Sequence, residues 1–304
     1  MTNKDILNNV KKLRELTGVG FKDCKIAIEE NGGDIQKSVE FLRKKGIAKA
    51  SKKMGRNASE GLALVHNDAD QVAVIEINSE TDFVAKNKDF LNFCKEISKI
   101  NFKVRGDIEK IKSFKMENGK SVDDNLISLI SKIGEKITIR RSKYFDNNGG
   151  KNYFYIHSAV EKNVGKIVSI VKLLNNDNKE LGQKIAMHIA ASNPISLDLE
   201  SLDPKIIDKE KQVLIEQAIS SGKPKDIAEK IVEGRIRKFY QEVVLLEQTF
   251  VIDGESKVAD VLERTAHDAG GEIVLKEFCL FVLGDGIEKE ETDFAAEVAA
   301  QLNK

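Results

Sequence analysis

The stretch Ser79-Glu80-Thr81-Asp82-Phe83-Val84-Ala85-Lys86 joins two segments of opposite period. Before it, Gln71 to Ile77 (QVAVIEI) is a short β-branched run; after it, Phe90, Phe93, Cys94, Ile97 and Ile100 recur on one helical face. The stretch is therefore a strand-to-helix corner, where an aromatic beside a carboxylate is placed to project from a rigid scaffold. Two readings of Phe83 stay open. A helix running unbroken back from Phe90 puts Phe83 on the same apolar stripe, as ordinary core. The polar Lys86-Asn87-Lys88, with Asp89 as N-cap, restarts the helix and leaves Phe83 as an exposed wedge.

Working outward, Leu62 to His66 and Gln71 to Ile77 read as an antiparallel hairpin across Asn67-Asp68-Ala69-Asp70. A polar excursion from Lys103 to Lys120 precedes a helix from Val122 to Lys132 that stops at Gly134. Lys136 to Phe145 begins as an alternating strand, turns at Asn147-Asn148-Gly149-Gly150 and returns as Tyr153 to Ser158. Lys166 to Leu174 is another strand, and Gln183 to Ala191 a helix ending before Pro194. Asp203-Pro204 opens a charge-rich helix to Ser220, Ser221 to Pro224 reverses the chain, and Lys225 to Tyr240 runs back. Its apolar positions, Ile207, Leu214, Ala218, Ile227 and Ile231, make a thin seam. Val243 to Ile252 resumes the core, followed by a helix from Val258 to Asp268, a strand from Ile273 to Leu283 and a last amphipathic helix carrying Phe294 and Val298.

Upstream, Ile6, Val10 and Leu13, then Phe21, Cys24, Ala27 and Ile28, then Ile35, Val39 and Leu42 mark three short helices, the third capped by Asp34 and ended at Gly46. From Arg43 to Arg56 seven cations run without an acidic residue, which reads as a solvated linker. The whole is α+β: a three-helix bundle, a two-part core of antiparallel sheets with helices, an inserted antiparallel helical hairpin and a C-terminal docking helix. The boundaries expected are 1–54 for bundle and basic linker, 55–140 and 141–202 for the core, 203–241 for the hairpin, 242–284 for the returning core and 285–304 for the last helix.

The 304 residues exceed one ordinary core, and 41% hydrophobic content supplies more than one. Acidic and basic residues balance at 49 each, so no whole-molecule basic field drives nucleic-acid binding. Cys24, Cys94 and Cys279 are odd in number, form no CxxC and read as reduced, buried thiols. With no apolar leader and no stretch long enough for a membrane span, a soluble cytoplasmic protein is expected. His66, His157, His188 and His267 are scattered, with no metal or catalytic spacing. Gly222-Lys223-Pro224 lacks the rest of a phosphate loop, and Gly18-x-Gly20 lies between helices, so no nucleotide, cofactor, metal or catalytic residue is expected.

The corner TDFVAK, with LRELTGVGFKDCKIAI from Leu13, IGEKITIRR from Ile133, MHIAA from Met187, GKPKDIAEKIVEGRIRKF from Gly222 and IEKEETDFAAEVAA from Ile287, resembles the bacterial elongation factor Ts family. The resemblance implies a nucleotide exchange factor, not an enzyme, whose partner is the GTPase elongation factor Tu. It implies a ubiquitin-associated-like bundle and a GDP-displacing wedge of Thr81, Asp82, Phe83 and Val84. Further partner contacts are implied at Arg14, Val19, Gly20, Phe21, Lys53, Ile133, Gly134, His157, Phe294 and Val298, and self-association through residues 203–241. Two other classes compete: an RNA-binding protein using the run from Arg43 to Arg56, and a ubiquitin-type adaptor using the loop from Gly18 to Phe21, which leaves the TDFVAK corner without a purpose.

Overall fold

Helices and antiparallel strands form two packed units in the computed structural model, which describes residues 3–17, 19–175, 177–220 and 225–288. The first unit draws on residues 1–66, 73–143 and the chain from 282 onward; the second on 67–72 and 144–281.

The first unit starts with α1 (Asn3–Thr17), α2 (Phe21–Glu30) and α3 (Ile35–Lys53). They close on Val10, Leu13, Cys24, Ala27, Ile28 and Leu42, the residues whose helical spacing marked the bundle. Asp34 caps α3 as expected, its Oδ1 accepting from Lys37 N–H at 3.0 Å. The helix does not end at Gly46. It runs on to Lys53, because the Lys, Arg and Ala residues on either side are good helix formers and one glycine costs only about 1 kcal/mol. Gly46 is buried, and a Cβ there would lie 3.6 Å from Ser131 of the helix packed against it. The basic run is therefore mostly helix rather than solvated linker, and several of its cations are paired: Arg43 with Asp124 at 2.8 Å, Lys45 with Asp23 at 3.4 Å and Arg56 with Glu80 at 3.0 Å.

Strands β1 (Glu60–Asp68) and β2 (Gln71–Ser79) form the expected hairpin, turning at Ala69, whose φ is 48°. A one-turn helix α4 (Asp82–Ala85) follows, then α5 (Lys88–Lys103), α6 (Ile108–Ser113) and α7 (Val122–Ile133). The N-cap of α5 is Asn87 and not Asp89: its side chain accepts from the N–H groups of Asp89 and Phe90. Asn101 fastens α5 to the sheet by donating to the Val74 carbonyl at 3.1 Å. The polar excursion hides α6, capped by Asp107 and anchored by the fully buried Ile111. Strand β3 (Ile137–Phe145) lies beside β2, so the order is β3-β2-β1.

In the second unit β4 (Gly150–His157), the two-residue β5 (Val164–Gly165) and β6 (Ile167–Leu174) lead to α8 (Lys179–Ser192), α9 (Pro204–Ser220), α10 (Lys225–Val243), α11 (Val258–Ala269) and β7 (Val274–Val282). The expected β3–β4 hairpin is not formed. The two strands belong to different sheets, β4 pairing antiparallel with β6 from Gly150↔Leu174 to His157↔Ile167 in the order β4-β6-β7. Tyr153, Val171, Leu173, Ile185, Ile189, Leu262 and Leu275 form the core. A Cβ at Gly182 of α8 would stand 2.2 Å from Cγ of Tyr153, which only glycine permits. Helices α9 and α10 pair along Leu214, Val232 and Ile236 with Tyr240, a seam using Val232 and Ile236 where Ile231 was expected. Residues 221–224, the expected reversal, lie outside the described residues.

Candidate functional site

Two corners of the first unit converge. The first is Ser79 to Lys86. Thr81 is extended, with φ −126° and ψ 157°, and the chain then makes the single turn α4. Val84 and Ala85 point inward and are buried, while Phe83 keeps 77% of its surface exposed, the most of any large apolar side chain among the described residues. Phe83 is therefore not part of the core stripe: it stands exposed on its turn. The break at Lys86-Asn87 rotates Phe83 away from the stripe of Phe90 and Phe93. Beside the ring, Asp82 pairs with Lys86 at 2.8 Å, and the Lys86 ammonium stands 5.7 Å from the Phe83 centroid.

The second corner is the end of α7. Gly134 takes φ +87°, a left-handed conformation that suits glycine, and its N–H closes the helix onto the Ile130 carbonyl at 2.8 Å. Ile133 is half-buried and Gly134 exposed.

Hydrogen bonds lock the corners together. Glu135 accepts from the Thr81 N–H at 3.0 Å and from the Thr81 hydroxyl at 2.8 Å. In return Glu80 accepts from the Lys136 N–H and from Arg56. Lys53 donates to the Gly134 carbonyl, and Lys136 Nζ to the Arg56 carbonyl. Thr81, Asp82, Phe83, Val84, Lys53, Ile133 and Gly134 are thus brought to one region. Arg14, Gly20 and Phe21 are exposed on the bundle, whereas Val19 is buried in it. His157 is exposed at the end of β4 in the second unit, its Nδ1 3.3 Å from the Tyr155 hydroxyl. Phe294 and Val298 lie outside the described residues. Glu80 and Glu135 carry the lock, yet sequence reasoning gave them no role; the one signal was a glutamate next to each corner.

Below the corners Glu76 is fully buried on β2. Arg140 and Arg141 reach it at 2.9 Å and 2.6 Å, and the Gly284 N–H at 2.9 Å. Burial pushes its carboxyl up, but the bonds from Gly284, Arg141, Asn78 and Arg140 together hold it below the ordinary glutamate value. Among the described residues no group of three His, Cys, Asp or Glu could hold a metal ion, and no helix is long and apolar enough to cross a membrane. Cys24, Cys94 and Cys279 are buried free thiols, and burial raises the first two. The corner offers a shaped protrusion, an exposed ring beside the Asp82–Lys86 ion pair.

A family model described as Elongation factor TS matches residues 80–285. The chain is 48% identical over 301 residues to Elongation factor Ts of Rhodospirillum rubrum, covering 97% of both. It is 47% identical over 295 residues to Elongation factor Ts of Gluconobacter oxydans, covering 96% of both, and 44% identical over 300 residues to that of Rickettsia bellii, covering 97% of both.

Proposed function

The chain belongs to the elongation factor Ts family of translation elongation factors, and on that premise we propose that it binds elongation factor Tu and speeds the release of GDP, with Phe83 as the wedge. The observation that carries this reading is the exposure of Phe83 on a single helical turn whose next two residues are buried. A GTPase that holds GDP at nanomolar strength is stabilised by roughly 12 kcal/mol. A partner loosens that grip only by binding the nucleotide-free state better, with the same factor acting in both directions. An aromatic ring held out from a braced corner can occupy space on the GTPase that is open only once the nucleotide site has rearranged. Asp82 adds a negative charge beside it, Ile133 and Gly134 widen the contact, and the exposed Phe21 loop of the bundle adds grip at a distance. No covalent bond changes.

The pairing of Arg43, Lys45 and Arg56 with carboxylates favours this reading over an RNA site built on the basic run. Release of a fluorescent GDP from elongation factor Tu, followed with and without the chain, tests the proposal: acceleration that saturates with chain concentration supports it, and an unchanged rate rejects it.

A further inference from the structure

We infer that Glu135 and Glu80 are positioning residues for the wedge, acting as a reciprocal carboxylate clasp between the two corners; this rests on the exchange reading above. A helix of four residues closes too few hydrogen bonds to hold itself, since nucleation is the costly step. The side chain that should cap it is used elsewhere. Thr81 occupies the N-cap position of α4 but its side chain makes no capping bond; its hydroxyl points to Glu135 instead, donating to Oε1 at 2.8 Å. Its N–H donates to Oε2 of the same carboxylate at 3.0 Å, and its carbonyl accepts from the Ser79 hydroxyl at 3.0 Å. Every polar group of Thr81 is thereby fixed from outside the turn that it starts.

The exchange is mutual. The carboxylate of residue 135 binds the amide of residue 81, and the carboxylate of residue 80 binds the amide of residue 136. Two antiparallel tethers of this kind suppress both sliding and rotation of one corner against the other. Glu80 Oε2 also takes the Arg56 guanidinium at 3.0 Å, while the Arg56 carbonyl accepts Lys136 Nζ at 2.7 Å, so the chain three residues past the bundle's third helix is tied into the same ring. Neither glutamate touches Phe83 in any of these bonds. Their effect on it passes through Thr81, one residue before the turn, where a small backbone rotation swings the exposed ring through a large arc. The ring acts only on the partner state from which GDP is leaving, so misplacing it should lower the release rate more than the affinity for the partner.

The test uses the full chain with Glu135→Gln, which keeps size and one acceptor but removes the paired acceptor geometry, and Glu135→Ala. GDP release from elongation factor Tu is measured over a range of chain concentrations, and amide hydrogen exchange is measured on the free chain. The expected result is a maximal release rate lower by about tenfold in Glu135→Ala, a half-saturating concentration changed less than about twofold, and faster amide exchange confined to residues 81–87. In a Thr81→Val background, which loses the hydroxyl bond to Glu135 and keeps the N–H bond, Glu135→Gln should add less than it does in the parent. Parent-like rates and exchange overturn the clasp, as does a loss seen only in half-saturation, which would make Glu135 a direct contact. Faster amide exchange across β2 and β3 as well would show general unfolding and also overturn it. If the parent chain itself fails to speed GDP release, the exchange reading falls, and the local amide exchange still decides the clasp.

Discussion

Oε2 of Glu76 lies 2.6 Å from Nε of Arg141, and Glu76 has no exposed surface. With Arg140 on the other oxygen and the Gly284 N–H beside it, one carboxylate ties β2, β3 and the chain leaving β7 within the first unit. Glu76→Gln removes the charge but leaves both guanidiniums facing the site. Breaking such a pair from one side costs about 3 kcal/mol, the low end of the usual range because the arginines are 24% and 31% exposed. Urea unfolding of parent and variant measures it.

Acid should act on the same site. The folded carboxyl sits below its ordinary value, so its contribution is complete at neutral pH and is lost as pH falls below about 4.5 towards the folded pKa. Glu76→Gln should flatten that limb of the stability–pH profile. An unchanged acid limb would show that other carboxylates govern it.

His188 makes a second, milder acid step in the second unit. It is buried in α8; its Nδ1 accepts from the Val251 N–H at 3.2 Å and its Nε2 meets Gln248 Oε1 at 3.0 Å. Because Gln248 donates its amide to the Ser192 and Glu242 carbonyls, its oxygen must accept, which fixes His188 as the neutral Nε2–H tautomer. Burial lowers the His188 pKa although the Gln248 bond opposes it. A depressed histidine pKa makes stability complete above about 6.5 and falling below that value. His188→Ala should cost about 2 kcal/mol or more through the orphaned Val251 N–H and remove this step. Chemical denaturation between pH 5 and 8 (about the histidine range) reads both effects.

Gly182→Ala sets two effects against each other. Alanine gains about 1 kcal/mol of helix propensity, but its Cβ would collide with the buried Tyr153 ring, and overpacking of that kind costs about 1–3 kcal/mol. A lower melting temperature is expected, recovered in part by Tyr153→Leu.

The α9–α10 hairpin has its own seam, and its roots are tied beyond residues 205–240, by Ile195 N–H to the Val243 carbonyl at 2.8 Å and Leu245 N–H to the Ser196 carbonyl at 2.9 Å. Replacing Lys205 to Tyr240 by a short Gly/Ser loop should leave a folded chain with GDP release within about twofold of the parent. The exposed Val213, Ile215 and Ile219 on α9 make this the surface to watch for self-association, which light scattering would show reduced. Loss of release in a folded variant would instead make the hairpin a contact for the GTPase.

Local pattern carried most of the elements, since each bundle helix, the β1–β2 hairpin, α7 with its Gly134 cap and the α9–α10 pair have a periodic apolar face or a marked end. What pattern could not carry was pairing between distant segments. Asn147 to Gly150 has good turn residues, yet β3 and β4 go to different sheets, because strand partners are chosen by side-chain packing across the whole domain. Gly46 looked like a stop because a buried glycine packed on a neighbouring helix and a terminal glycine are the same letter. At the site, the corner and both candidate fates of Phe83 were legible. The clasp was not: Glu80 and Glu135 stand 55 positions apart and each resembles any surface glutamate until its partner amide is known.

The exposed wedge is tested most directly by Phe83→Ala, with a melting curve and stopped-flow release of fluorescent GDP from elongation factor Tu on the same preparation. At 77% exposure the ring contributes little to the free fold, so the melting temperature should stay close to the parent. As a hot spot it should carry about 2 kcal/mol of preference for the nucleotide-free partner, slowing catalysed release by about thirtyfold. A variant that melts like the parent and still releases GDP at the parent rate would contradict the account.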